Sequence, residues 1–392
     1  MVTWDKKLNK EELLKEIEEY RPAETQNIEV KNVNGERFIS CFCGEEVKKS
    51  IVPHLKAKHQ DLWREWKRIF VKLYSMGYSW KRIMKLFSAR NGKLLFSWTV
   101  VENAIKGEVE GGNITFHPHI KNVIKKWHPE GFRKEKTTVW DFPKRGDWAV
   151  HSSNYRGNWP PEIPRNLILR YTKAGDIVVD AFAGGGTTLI EAWLLNRRSI
   201  GLDISKLATD TIKANLKQME EMATLDERIR LNYSYKPLVI KASEANALKL
   251  SEIIAKKGIT GRVVKLICAH PPYLDSIKYT MGDERDLALI HDPLVFYDKM
   301  RVFAQQVKNI ICPDGICAIL IGDVKKNKRA IPLGFKTLEQ FLIEGFELEN
   351  IVIKTQHKDR STEFWVGHKS DILLMAHEYL FIMRLREEKS ER

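Results

Sequence analysis

The stretch that most restricts this chain begins at Gly175: "GDIVVDAFAGGGTTLIEA". A short apolar, β-branched run ends in Asp180, three glycines follow at 184–186, and an apolar segment comes after them. That order reads as strand, tight turn and helix, and it brings a ligand against the first backbone N–H groups of the helix. Two common cradles compete for it. A phosphate loop needs a lysine after its last glycine, in the order G-x-x-x-x-G-K-[ST], and none follows here. A dinucleotide turn needs a third glycine three positions after its second, where this chain has Leu189. Neither cradle fits.

The rest of the chain sets the frame. From about residue 148 onward, short apolar runs at 177–179, 199–202, 237–240, 263–268, 316–321 and 351–354 alternate with longer amphipathic segments. Such alternation predicts βαβ units and a largely parallel sheet covered by helices. With 392 residues, two or three domains are expected. The composition divides the chain into a charged helix and connector (1–35), a compact Cys/His unit (36–66), a basic helical module with its linker (67–147) and the sheet domain (148–392).

Charge points towards a partner. Lys and Arg exceed Asp and Glu to give a formal net charge of +14 and a pI near 9.3. That surplus attracts polyanions, nucleic acid above all, because phosphate neutralisation releases counterions. No stretch offers the roughly 20 uninterrupted apolar residues of a membrane helix, and the start has no apolar run after a basic segment. A soluble, cytoplasmic protein is expected. Five cysteines, an odd number, argue against a disulfide framework. Abundant Lys and Glu beside only seven glutamines is the habit of proteins from hot environments.

The glycine turn in its full context resembles something other than the two cradles. "DAFAGGGTTLIEA" resembles the D-x-F-x-G-x-G-T-T signature of S-adenosylmethionine-dependent methyltransferases that act on exocyclic amino groups of bases. The resemblance implies a Rossmann-like class I methyltransferase domain, α/β with a mostly parallel seven-stranded sheet, behind a small zinc-finger-like and helical N-terminal module. It implies S-adenosylmethionine as cofactor, with Asp180, Phe182, Gly184, Gly186 and Thr187 forming the turn. In "SIGLDIS", Asp203 ends a presumed second strand, where a carboxylate can accept from both ribose hydroxyls. In "VIKASEANALKL", Glu244 stands where the family often has aspartate near the adenine. Upstream, "SSNYRGNWPPEIPRNLILRYTKAGD" resembles the segment covering the methionine end, with Tyr155, Arg156, Gly157, Pro161 and Ile163 as candidates. The sulfonium of the cofactor carries no phosphate, which suits a turn without lysine.

The second informative stretch is "LICAHPPYLDSIKYT", an apolar run ending in His270, Pro271, Pro272 and Tyr273. The same family carries [DNS]-P-P-[YFW] here. An exocyclic amino nitrogen is a weak nucleophile, because its lone pair is delocalised into the base. Hydrogen bonds from its two hydrogens, to a side-chain acceptor and to a backbone carbonyl of the turn, pull it towards sp³. The prolines fix φ and add no competing N–H. Tyr273 offers a flat face for a base that has been extruded from its stack, and Asp275 and Tyr279 follow as candidates to line the base pocket. Histidine departs from the family habit. A neutral imidazole accepts through one ring nitrogen and an imidazolium does not, and the departure leaves cytosine N4 and adenine N6 both open.

In the N-terminal third, "CFCGEEVKKSIVPHLKAKH" sets Cys41 and Cys43 at a turn and His54 and His59 on a helix. Two thiolates and two imidazoles make a closed tetrahedral zinc site, which a unit this small needs for stability. "HLKAKH" is similar to the helix of two-Cys, two-His zinc fingers, with C-x-C in place of C-x-x-C. Beyond it, "MGYSWKRIMKLF" and "SWTVVENAIK" resemble a helix-turn-helix, with Ser79 and either Ser97 or Thr99 as N-caps. Lys and Arg interleaved with aromatics suit a nucleic-acid surface. Finger and helix-turn-helix likenesses favour duplex DNA. The absence of room for a large target-reading insertion, and similarity to stand-alone archaeal members of the family that modify cytidine N4 in ribosomal RNA, favour structured RNA. The leading expectation is cytidine N4 in rRNA or a ribosomal subunit, with N4-cytosine or N6-adenine of DNA as the alternative. A zinc-finger DNA-binding regulator that merely senses the cofactor, and a small-molecule methyltransferase, rank below both.

Overall fold

The computed structural model describes residues 22–33, 36–75, 80–110, 124–152, 155, 157–274, 277, 279–280, 282–326, 329–357 and 373–386. The chain divides into two compact units, Met1–Ile120 and Lys121–Arg392.

The smaller unit starts with an antiparallel meander of β1 (Glu29–Val33), β2 (Glu36–Ser40) and β3 (Glu46–Lys48). Val30 pairs with Ile39, and both are buried. Helices α1 (Val52–Lys58), α2 (Gln60–Ser75), α3 (Trp80–Leu86) and α4 (Trp98–Glu110) follow. Their core is aromatic: Trp66, Phe70, Phe87 and Phe96 meet at centroid distances of 4.5–5.9 Å, in edge-on or tilted pairs. Edge-to-face contacts of this kind add to the burial of large rings. The segment between α3 and α4 is not the tight turn of a helix-turn-helix. It contains a bridge between Ser88 and Leu94 and folds back on the meander, where Arg90 N donates to Ile28 O and Asn91 Nδ2 to Val30 O. The Cys/His stretch and the helices are thus tied into one body. Ser79 lies outside the described residues.

The larger unit is built on an eight-stranded sheet. Its strands are β4 (Val139–Trp140), β5 (Ile177–Asp180), β6 (Arg198–Gly201), β7 (Leu238–Val239), β8 (Val264–Ala269), β9 (Ile311–Ile321), β12 (Phe346–Thr355) and β13 (His377–Leu385). A separate hairpin of β10 (Val324–Lys326) and β11 (Arg329–Ile331) follows β9. The order is β4-β12-β13-β9-β8-β5-β6-β7, parallel throughout except that β13 runs antiparallel to both β12 and β9. The mostly parallel Rossmann-like sheet is present, with one strand more than the seven expected. β4 comes from a stretch that reads as irregular connection, because two residues carry no periodicity.

Helices cover both faces. α8 (Leu250–Ala255), α9 (Pro293–Lys308) and α10 (Leu333–Ile343) pack on one side with Phe296, Phe303 and Phe341 buried. α5 (Glu162–Tyr171) and α6 (Thr187–Leu194) cover the other, and α7 (Lys206–Ala223) packs beside α6 through Ile212, Leu216 and Met219. Residues 124–151 wrap this second side, held there by Asp226, which takes Trp127 Nε1 at 2.8 Å, and by a buried carboxylate. Glu191 of α6 is wholly buried and accepts from Trp148 Nε1 at 2.6 Å, His151 Nε2 at 2.7 Å and Arg165 at 2.8 Å. Burial alone would push its carboxyl up, but His151 and Arg165 hold it below the usual range. Among the described residues no helix is long and apolar enough to cross a membrane.

Candidate active site at the sheet switch point

After β5 the chain adds β6 and β7 on one side, then returns to place β8 on the other. In open α/β sheets a crevice forms where the strand order reverses in this way, at the carboxyl ends of the strands. Asp180, the last residue of β5, pairs with Cys268 of β8, and β8 ends one residue later at Ala269. The glycine turn and the His-Pro-Pro-Tyr turn are therefore neighbours. They share a cavity of about 630 Å³, counted with its open mouth.

The glycine turn is shaped by close approach. Gly184 has φ +51°, and a Cβ there would lie 2.8 Å from Asn158 Oδ1 and 3.2 Å from the Tyr155 ring. Gly186 has φ +84° and caps α6 from the left-handed region, which favours glycine. Its amides are all spoken for. Phe182 N donates to Asp180 Oδ1 at 3.1 Å, Gly184 N to Asp203 Oδ2 at 2.8 Å, Gly185 N to Asn158 Oδ1 at 2.7 Å and Gly186 N to Ala183 O at 2.8 Å. The amides of residues 182, 184, 185 and 186 are thus committed within the protein.

Of the residues expected around a cofactor, Tyr155, Phe182, Gly184 and Asp203 line the cavity, as does Gly157. Asp203 also accepts from Ser205 N at 2.9 Å, which aims its carboxylate across the turn. Asp180, Gly186 and Thr187 sit behind the lining. Asp180 takes the Thr188 hydroxyl, and burial pushes its carboxyl up to about 7. Glu244 does not face the cavity: its carboxylate turns outward to Lys257 at 3.0 Å, and Asn246, two residues on, lines the wall instead. Pro161 and Ile163 serve α5, as N-cap and buried core residue. Arg156 lies outside the described residues.

Sequence reasoning missed the loop that closes the far wall. Arg285 lines the cavity and donates to Ala242 O, Ser243 O and Ala245 O at 3.2, 3.0 and 2.9 Å, tying this loop to the one after β7. Asp286 gathers the amides of Thr280 and Ala288, both at 2.9 Å. An arginine reaching three carbonyls about 40 residues away leaves no local pattern. Asn158 was missed for the same reason.

The second turn departs from expectation in its details. His270 and Pro272 line the cavity, while Pro271 and Tyr273 do not. The imidazole lies nearly parallel to Trp159, at 6.0 Å and 18°. Its Nε2 is 2.8 Å from the Tyr273 hydroxyl, which donates to Glu378 Oε1 at 2.7 Å, and Glu378 Oε2 pairs with Lys354 at 2.7 Å. Tyr273 thus turns its hydroxyl to β13 and its ring to Gly322, where a Cβ would lie 3.1 Å away. Tyr155, Phe182 and Tyr279 are the Tyr and Phe rings among the cavity's lining residues. Burial lowers the pKa of His270, against the opposing pull of Glu378. Burial alone would raise Glu378, but Lys354 and His270 bring it below the usual carboxylate range. Asp275 lies outside the described residues.

In the smaller unit, one donor atom from each of Cys41, Cys43, His54 and His59 falls within 4.8 Å of all the others. Cys43 Sγ is 3.3 Å from His54 Nε2 and Cys41 Sγ is 3.7 Å from His59 Nε2. A tetrahedral zinc with ordinary Zn–S and Zn–N lengths sets that edge at about 3.5 Å. Glu45 stands 3.3 Å from His54 Nδ1, as a partner orienting a metal-bound imidazole would. The donor set fits the metal.

A family described as DNA methylase, of the N6/N4 type, matches residues 30–214. The type II methyltransferase M.ScaI of Streptomyces caespitosus is 34% identical over 128 residues, 31% of this chain and 41% of that protein. The DNA adenine methyltransferase YhdJ of Escherichia coli is 31% identical over 114 residues, 27% of this chain and 38% of its own. A tRNA (guanine(10)-N2)-dimethyltransferase of Methanocaldococcus jannaschii is 34% identical over 115 residues, 29% of this chain and 28% of its own. The chain spans less than half the length of each of these relatives. Residues 30–214 are thus similar to the N6/N4 DNA methylases, and these relatives are methyltransferases.

The buried Lys354–Glu378 pair makes a stability prediction. Lys354→Met leaves a buried carboxylate without its cation and should destabilise the larger unit by about 3 kcal/mol at neutral pH, read by chemical denaturation. Because the folded carboxyl titrates below its unfolded value, its contribution is present above the ordinary carboxylate range and fades as pH falls through the lower folded value. The gap between wild type and variant should narrow in acid. A gap that stays constant would remove Glu378 from the account.

Proposed function

We propose that the protein transfers a methyl group from S-adenosylmethionine to the exocyclic amino group of a nucleic-acid base, with N4 of cytidine in structured RNA as the preferred target. The observation that carries this reading is the shared cavity: Gly184 and Asp203 line it from one strand pair, and His270 and Pro272 from the next strand end. When bound, the cofactor supplies an electrophilic methyl group on a sulfonium. Asp203 is the residue for the ribose hydroxyls, and Asn246 and Leu248 line the wall assigned to adenine, in place of Glu244. Tyr155 and Gly157 cover the methionine end.

His270 and the carbonyls of the Pro271-Pro272 turn orient the target amino group, so that its lone pair faces the methyl donor. Catalysis is then largely positioning. Tyr273 acts one step back. With its own proton directed to Glu378, its hydroxyl accepts from His270 Nε2–H and leaves Nδ1 as the acceptor nitrogen of the ring. Tyr279 offers a face to the flipped base. No dedicated strong base is needed, since the methylated cationic nitrogen loses its proton readily. RNA is preferred because the described residues between the two turns belong to the sheet, its helices or short connections, with no extra target-reading subdomain. The names of most relatives speak for DNA, and the two substrates are separated by experiment.

Labelled cofactor should be offered to DNA and to total RNA from cells lacking the protein, and the modified nucleoside identified by mass. N4-methylcytidine in RNA is expected; label in DNA redirects the substrate, and label in neither overturns the activity. Asp203→Asn, which keeps an acceptor for the Gly184 and Ser205 amides, should weaken cofactor binding at least tenfold in calorimetry with little change in unfolding temperature, and an unaltered affinity would displace it from the ribose. Protonation of His270 removes its acceptor, and burial lowers its pKa from 6.5. Turnover should therefore hold steady from pH 8 down to about 6.5 and fall only below that; a decline beginning above pH 7 contradicts the assignment. In the smaller unit we assign Cys41, Cys43, His54 and His59 to a structural Zn²⁺. Elemental analysis should find one zinc per chain, lost in Cys43→Ser, and a metal-free wild type would refute the site.

A further inference from the structure

Beside the cavity lies a surface that the methyl-transfer reading does not use. In the β10–β11 hairpin Lys325 stands opposite Ala330 and Lys326 opposite Arg329, and all three cations are exposed. Lys325 donates to the carbonyl of Leu373, a contact that leaves its charge intact. The hairpin leads directly into α10, whose third residue, Phe335, is 48% exposed. Phe335 meets Tyr379 edge-on at 5.0 Å, and Tyr379 meets His377 edge-on at 5.0 Å. Both partners are half-buried. Lys326 and Arg329 share one face of the hairpin and Lys325 projects from the other, and the three rings lie on the elements that flank the hairpin, α10 and β13.

Their position relative to the cavity gives them meaning. The hairpin leaves β9 just after Gly322, the residue against which the Tyr273 ring packs. Tyr379 pairs with Ile321 of β9 and follows Glu378, the acceptor of the Tyr273 hydroxyl. The two strand ends that support the His270–Tyr273 turn are the ones that carry the cations and the rings. Single exposed aromatics are ordinary on protein surfaces. Aromatics beside Lys and Arg are what a single strand of nucleic acid needs, with cations for phosphates and flat faces for bases.

We propose that the β10–β11 hairpin, with Phe335, His377 and Tyr379, is the surface that takes the unpaired nucleotides flanking the target base. Lys325, Lys326 and Arg329 contact phosphates, and Phe335 stacks under a base. The site rests on the nucleic-acid reading of the cavity and goes beyond it by fixing where the strand lies. The chemistry is shared by RNA and single-stranded DNA.

The test uses the full chain and a fluorescent 12-nucleotide RNA, with the DNA of the same sequence as a second arm, followed by anisotropy across a salt series. Replacing Lys325, Lys326 and Arg329 together by Ala should lower the slope of log affinity against log salt by about 2, at about 0.7 per phosphate for a single strand. Phe335→Ala should weaken binding about tenfold with the slope unchanged. Cofactor affinity should not move in either variant; the unfolding temperature should hold in the triple variant and fall by a few degrees in Phe335→Ala, whose ring also packs on Tyr379 and Phe381. Lys213→Ala with Lys217→Ala on α7, both exposed, serves as the charge control and should lower the slope less than the triple variant. Unchanged affinity and slope in the triple variant, or a change no larger than the control's, overturns the surface. If oligonucleotide binding responds as expected but label reaches no nucleic acid, the reaction fails and the surface stands. If label is transferred with an unaltered KM in both variants, the surface fails and the reaction stands. The tighter of the two arms identifies the natural strand.

Discussion

The pairing of β5 with β8 is the constraint on which the site depends. Residues Asp180 and Cys268 are far apart in the chain, yet their register brings two turns of different chemistry to a single crevice. Hydrophobic burial drives that pairing, since Val178, Val179, Leu266 and Ile267 are wholly buried between helices on both faces. A slip of one residue would turn every side chain of β8 to the opposite face. His270 would then leave the cavity. The register of the core beneath it therefore sets which residues reach the site, and contacts within the site then orient them.

Around that crevice, polar groups are satisfied almost entirely by the protein itself. The glycine turn gives amides to Asp180, Asp203, Asn158 and Ala183, and Arg285 divides its donors between Asp283 beside it and three carbonyls of the opposite loop. The same economy places Glu378 behind Tyr273 and Lys354 behind Glu378. Here a carboxylate, Glu378, stands one layer behind the imidazole of His270, with the Tyr273 hydroxyl between them. A buried carboxylate survives there because a cation and a hydroxyl attend it. The histidine departure is thus matched by a compensating arrangement elsewhere in the fold.

The smaller unit uses different means. Its sheet has three short strands, so aromatic rings and the Cys/His quartet carry what apolar strands carry in the larger unit. Trp66, Phe70, Phe87 and Phe96 bury large areas per residue, and a metal at Cys41, Cys43, His54 and His59 would tie the meander to α1 and to the residue that follows it. The hairpin between α3 and α4, which bonds back to β1 and its approach, is why the stretch does not form a simple helix-turn-helix.

Much of the architecture was legible in the residues. Alternating apolar runs disclose parallel strands because each strand is buried on both faces, and the glycines at 184–186 disclose a turn because larger residues would strike Asn158 and Tyr155. The Cys/His quartet was legible from side-chain chemistry and spacing. Sequence alone determined which groups have reactive or ligating character: Asp203, His270, Cys41, Cys43, His54 and His59. Tertiary structure decided which way they face. It sent Glu244 out to Lys257, turned Tyr273 towards Glu378, brought Arg285 to the far wall and added β4 as an eighth strand. Each of those outcomes depends on partners tens to hundreds of residues away, and the orientation of a side chain is set by its packing neighbours, which a local pattern does not contain.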